Sequence, residues 1–281
     1  MTWMLICFFV LVALVVWGFK MSRGRRKPTI VFPPDYGLVA QTVRFPTQDG
    51  LMLEGWFIPN GASDKTIVLV HGFDMNKGDV LKRTHFLSKN YNLFYIDCRG
   101  AGGSEGHSSM GTKENRDVAA AVDYLRKNFP LQAREIGLYG ISMGAAAVSH
   151  YTAHYGAVKC LLLESSYFSF KNVAKRWAWL HVKIPYFPLV GLVLFLKEKT
   201  QNIQVEDYAL QSTAEKIECP VLMIQGEHDR LAPITKARKT YKKLHAPKEL
   251  WLVKNAGHTS CAKEGGEAYV QKVQSFFTQY L

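Results

Sequence analysis

The chain has 281 residues, 48% of them hydrophobic and 21% charged, with 22 glycines and 11 prolines. That length can bury a large core without staples, and the composition excludes disordered, fibrous and collagen-like classes. Five scattered cysteines (Cys7, Cys98, Cys160, Cys219, Cys261) form no Cys-x-x-Cys pair, which argues against a zinc knuckle or a disulfide scaffold. The net charge is +12, and Lys20, Arg23, Arg25, Arg26 and Lys27 all precede the first acid, Asp35. The other 30 basic residues (35 less these five) face 23 acidic ones, a diffuse excess suited to an anionic membrane surface. No zinc finger, aromatic RNA-binding signature or long basic stripe points to nucleic acid as a partner.

From Met1 to Phe19 only Thr2 and Gly18 interrupt an apolar run. As a helix it would span ~28 Å at ~1.5 Å per residue, close to the ~30 Å hydrocarbon core of a bilayer. Trp3 and Trp17 sit near its ends, where aromatic rings favour the interface. A cleaved signal peptide carries its positive charge before the apolar run and a small-residue site after it. Here the positives follow the run. The expectation is an uncleaved single-pass anchor over residues 1–19 and a basic juxtamembrane segment and linker over 20–36. A folded domain over 37–281 lies on the cytoplasmic side by the positive-inside rule. Unpaired cysteines agree with a reducing compartment.

Residues 41–46 and 51–58 read as short strands joined at Gln48-Asp49-Gly50, a hairpin signal. Continuous apolar runs then recur at 67–70, 93–96, 136–139, 160–163, 221–224 and 250–253. Strands apolar on both faces belong to a parallel sheet covered by helices. Helical spacing lies between them, at Val118, Val122 and Leu125, and again at Tyr269, Val273, Phe276 and Tyr280. The expected class is α/β, with its chemistry gathered beyond the carboxyl ends of the strands. Residues 166–210 are too long for an ordinary loop. Within them, 184–196 carries no charge and is too short to span a bilayer. This stretch is expected to form an inserted cap, with 184–196 either lining an acyl pocket or filling the cap's own core.

Gly140-Ile141-Ser142-Met143-Gly144 falls between a buried strand and a helix opening Ala145-Ala146-Ala147. A strand before and a helix after turn a common five-residue motif into a nucleophile elbow, with Ser142 projecting above the sheet edge. A serine hydroxyl needs a base, and the base needs an orienting acid. Asp229 and His258 follow later apolar runs in the chain order expected for this arrangement. Glu164 is the rival acid. His71 precedes the serine and suits a loop-fixing bond, while His150, His154 and His228 suit surface or satisfied positions. The backbone N–H groups of Met143 and Phe73 are the candidate oxyanion donors. Asp97-Cys98-Arg99-Gly100-Ala101-Gly102-Gly103-Ser104 fails as a phosphate loop, since Glu105 takes the place of the last glycine; a structural turn held by Asp97 and Ser104 is expected instead.

Taken in order, His71-Gly72, Asp97-x-Arg99-Gly100-x-Gly102-x-Ser104, Gly140-x-Ser142-x-Gly144, Asp229 and Ala256-Gly257-His258 resemble the α/β-hydrolase superfamily over residues 40–281. Within it the chain is similar to small membrane-anchored members related to acyl-protein thioesterases, monoacylglycerol lipases and the serine aminopeptidase-like group. The resemblance implies a mostly parallel sheet of about eight strands with a variable cap. It also implies hydrolysis of a lipophilic acyl ester or thioester through an acyl-enzyme, with no cofactor and no metal. Ala145-Ala146 departs from the glycine often found after such an elbow. A serine peptidase on the same residues, and a non-catalytic lipid- or partner-binding protein, are the competing readings.

Overall fold

The computed structural model describes residues 2–156 and 158–281, with the side chains of residues 2, 4, 7, 8 and 11 outside the description. Met1 of the expected anchor and the Cys7 thiol therefore lie outside the described residues. Strands β1 (Gln41–Pro46), β2 (Met52–Ile58), β3 (Lys65–Val70), β4 (Asn92–Asp97), β5 (Glu135–Ile141), β6 (Cys160–Glu164), β7 (Val221–Gly226) and β8 (Lys248–Val253) form one sheet. Its order is β1-β2-β4-β3-β5-β6-β7-β8. The β3 to β8 strands run parallel, and at one edge β2 alone runs against them, pairing antiparallel with both β4 and β1.

The apolar runs divide between two layers with the two-residue period of a strand. On one face Val68, Val70, Leu138, Leu161, Leu163 and Met223 pack with residues of α3 (Glu114–Asn128) and α4 (Met143–Tyr155). On the other, Ile67, Leu69, Tyr139, Leu162, Leu222 and Ile224 pack with α2 (Lys77–Thr84) and α9 (Cys261–Tyr280). Val118, Val122 and Leu125 are fully buried, as their spacing requires. The α9 helix breaks at Gly266, where φ is 49°, and resumes to bury Tyr269, Val273, Phe276 and Phe277. The turn after β4 is fastened by Asp97: its carboxylate accepts from the Lys77 and Gly103 N–H groups, and its carbonyl from Ser104 Oγ.

Between β6 and β7 the chain inserts α5 (Phe170–Val182), α6 (Gly191–Gln201) and the single turn α7 (Leu210–Thr213); β7 then re-enters the sheet, and α8 (Ile234–Lys243) links it to β8. Ser169 caps α5 by accepting from Asn172 N, and its Phe170, Ala174 and Ala178 are buried at a spacing of four. The uncharged stretch 184–196 is only partly helical: it passes through a turn at Tyr186–Val190 and then opens α6. Phe187 within it is 82% exposed.

The α1 helix (Thr2–Ser22) runs three residues past the apolar stretch. Its last turns rest on the insertion, so closely that a Cβ at Gly18 would lie 2.9 Å from Val193 Cγ2. Further out, Trp3, Leu5, Ile6, Phe9, Val10, Leu14 and Val16 are exposed. Among the described residues no helix is long and apolar enough to cross a membrane. Five α1 side chains are absent from that set, so the anchor rests on the sequence. The segment after α1, expected as a basic linker, lies against the folded domain. Arg25 N donates to Asp74 Oδ1 at 2.8 Å, Arg26 Nη1 to Gly102 O at 2.7 Å, and Ser108 N to Arg23 O at 3.2 Å.

Candidate active site

The β5 strand delivers Ser142 into a turn that forces φ to 53° and ψ to −109°, a left-handed backbone costly for any residue but glycine. Two glycines make the turn possible. A Cβ at Gly140 would lie 2.5 Å from Gly144 O, and one at Gly144 would lie 2.4 Å from Val70 O. The Ser142 N–H is satisfied by Glu164 O of the neighbouring strand at 2.8 Å. Its side chain stands at the head of α4, where the Met143 N–H has no preceding turn to accept its hydrogen bond.

Ser142 Oγ lies 2.8 Å from His258 Nε2, and His258 Nδ1 lies 2.8 Å from Asp229 Oδ2. With Nδ1 donating to the carboxylate, Nε2 is left as the acceptor for the serine hydroxyl. Asp229, 4% exposed, also receives the N–H groups of Leu231 and Ala232 on Oδ1 and the Gln225 amide on Oδ2. Four donors converge on one carboxylate, which fixes its orientation toward the imidazole. The structure thus brings together the three side chains expected from three distant stretches of chain.

Glu164 is not among them. It is fully buried, its Oε2 accepts from Tyr139 Oη at 2.5 Å and Tyr269 Oη at 2.8 Å, and Arg83 Nη1 stands 3.6 Å from its Oε1. Burial and the adjacent carboxylate push both tyrosine hydroxyls well above their ordinary range. The cluster supports the base through the backbone: Arg83 Nη1 donates to Thr259 O at 2.9 Å, one residue beyond His258. His71 fixes a loop, accepting from Cys98 N on Nε2 while Nδ1 donates to Gly72 O. His228 and His154 are exposed. His150 stacks on His154 and Tyr208.

A cavity of about 380 Å³ opens onto Ser142, Met143 and His258 and includes Gly72, Phe73 and Met110 in its lining. Its far wall is α5, through Phe170, Val173, Ala174 and Trp177; residues 184–196 take no part in it. The serine is covered by α5 and not by that uncharged stretch, whose Ile184, Leu189, Val190, Val193 and Leu194 line a smaller neighbouring cavity instead. Three contributors lay beyond the sequence reading. Gln225 is the one polar side chain in the apolar run of β7, a legible signal. Arg83 and Lys27, the latter at the cavity mouth, carry no local signal.

The sheet order and the loops at its strand ends define the class, the α/β-hydrolase superfamily. Within it the chain belongs to the family described as serine aminopeptidase, S33, whose model matches residues 61–208, more than half of its length. A TAP-like protein model matches residues 200–280. The chain is 27% identical over 235 residues to the uncharacterised protein YqkD of Bacillus subtilis, covering 82% of this chain and 77% of that one. An uncharacterised Mycobacterium tuberculosis protein is 27% identical over 287 aligned positions, covering 96% and 93%. Among solved structures, the Pyrococcus furiosus esterase Pf2001 superposes with a TM-score of 0.78 at 26% identity, over 92% of this chain and 99% of that one.

Proposed function

We propose that the protein is a membrane-anchored serine hydrolase that cleaves acyl esters or thioesters. The observation carrying this reading is the unbroken hydrogen-bond chain from Ser142 through His258 to Asp229 at the mouth of a largely apolar cavity. The likeness to an esterase supports it. Ser142 Oγ attacks the substrate carbonyl as its proton passes to His258 Nε2, and Asp229 stabilises the imidazolium that forms. The N–H groups of Met143 and Phe73 receive the developing oxyanion. Collapse of the tetrahedral intermediate expels the alcohol or thiol, which takes the proton from His258. Water then attacks the acyl-enzyme with the same base and releases the carboxylic acid.

An alkyl fluorophosphonate tests the assignment, because it reacts only with an activated serine. The unaltered chain is expected to label on Ser142, and Ser142→Ala to lose both labelling and hydrolysis of p-nitrophenyl acetate while keeping its circular dichroism. Undiminished labelling of that variant would refute the assignment, and absence of labelling in the unaltered chain would favour the non-catalytic reading.

A serine peptidase is the second reading, favoured by the family description and by Asp74, an acid lining the same cavity that a substrate amine would need. Aminoacyl p-nitroanilides cleaved faster than the corresponding esters would establish it. For the anchor, support comes from the exposed apolar flank of α1 and the five positives that follow it. On this reading α1 crosses a bilayer once, with the folded domain in the cytoplasm.

A further inference from the structure

A second, narrower cavity of about 70 Å³ lies beside the catalytic one. Trp17, Gly18 and Met21 of α1 form one side of it, and Ala178 of α5 with Val193 and Leu194 of α6 form the others. Its lining is almost wholly apolar. The single cation there, Lys197, donates from Nζ to Ser109 O, which leaves its methylene stem to line the slot. The two cavities are continuous in their walls: Met110, Ala174 and Trp177 line both.

We propose that this slot is the acyl-chain subsite of the enzyme and that the anchor helix α1 is one of its walls. The inference rests on the ester- or thioester-hydrolase reading above. A chain bonded through its carbonyl to Ser142 has an apolar route past Met110, Ala174 and Trp177, and the slot is where that route continues. Its occupant is an unbranched hydrocarbon chain: the slot is small, and nearly all of its lining is apolar. The closeness of Gly18 to Val193 fits this role. Any larger residue at position 18 would meet the Val193 side chain and require it or α1 to shift, changing the shape of the slot. The N-terminal helix then sets which chains are cleaved as well as where the enzyme resides.

The test uses the full-length protein in detergent micelles, with p-nitrophenyl acetate and p-nitrophenyl decanoate as probes. Met21→Trp and Ala178→Phe both fill the slot without touching Ser142, His258 or Asp229. The decanoate-to-acetate ratio of kcat/KM is expected to fall at least ~tenfold in each, the effect of about two buried methylenes. Replacing residues 2–16 by an unrelated apolar helix while keeping 17–22 is expected to leave the ratio unchanged. Should Ala178→Phe fail to fold, Met21→Trp, on the half-buried outer wall, decides the matter. A ratio unchanged in a variant that still turns over acetate overturns the subsite, and means that any lipid found in the slot is a bystander. If the unaltered chain hydrolyses neither ester, the hydrolase reading fails and the subsite falls with it.

Discussion

Asp229 shows how much of a reacting group's behaviour is set by residues that never meet the substrate. Its four donors leave the carboxylate one orientation, and Asp229→Asn would disturb that pattern by placing an amide where only acceptors fit. The expected loss is ~10³–10⁴ in kcat with little change in KM, because His258 would lose its orienter and the partner of its imidazolium. Gln225→Leu is a milder test of the same arrangement. It removes the amide bonds to Asp229 Oδ2 and Ala232 O, and is expected to lower kcat about tenfold and stability by about 1–3 kcal/mol. A steady-state comparison and a urea melt of each variant check both. A different residue carries a pH signature. Burial, with the neighbouring His154 and Lys216 charges, holds His150 at about 4, below its ordinary 6.5. Between those values the unfolded chain binds the extra proton, so the stability this ring contributes is intact above about 6.5 and is lost as pH falls toward 4. His150→Gln is expected to flatten that decline by about 1 kcal/mol, discounted for the ring's partial exposure. Melting the two proteins in parallel at pH 7.5 and pH 5 measures it.

The elements divide by how much of their cause lies nearby in the chain. The central parallel strands were legible because each is buried on both faces, whereas the edge strand β8 is only partly buried. The runs at 67–70, 136–139, 160–163 and 221–224 had no polar residue to blur them, and each strand end marked a loop where chemistry gathers. Ser142, Asp229 and His258 were legible for the same reason, each lying just beyond such an end. The elbow was legible through its glycines, whose necessity is steric and local. Gly144→Ala, with a Cβ 2.4 Å from Val70 O, is expected to cost ~3 kcal/mol or more and to deny the chain a stable fold; the yield of soluble protein and its near-ultraviolet dichroism report it. The insertion was harder to read. Pro185 and Pro188 break the uncharged stretch into a turn and the start of a helix, so hydrophobicity alone did not reveal that α5, and not this stretch, covers the serine. The stripe of Phe170, Ala174 and Ala178 in α5 is helical in spacing, but its two alanines carry little hydrophobic signal. Arg83 was beyond reach because its bond to Thr259 spans 176 positions, and no local pattern records such a contact.

At the scale of the whole molecule, an apolar helix leads into a basic strap, and the strap is hydrogen-bonded to the loops around the active site. A reporter fused after Leu281 is expected to be shielded in intact cells and accessible only after lysis; digestion by external protease would reverse the orientation. The strap has a further consequence. An enzyme on a slack tether samples many heights and tilts above its surface, and meets dissolved and embedded substrates alike. Here Arg23, Arg25 and Arg26 are bound to Ser108, Asp74 and Gly102, so the domain has no slack to use. With α1 in a bilayer as proposed, the catalytic mouth would be held at one elevation and one attitude. Encounter would then become a two-dimensional search among molecules already lying at that elevation, with collision frequency governed by lateral diffusion and surface density rather than by bulk concentration.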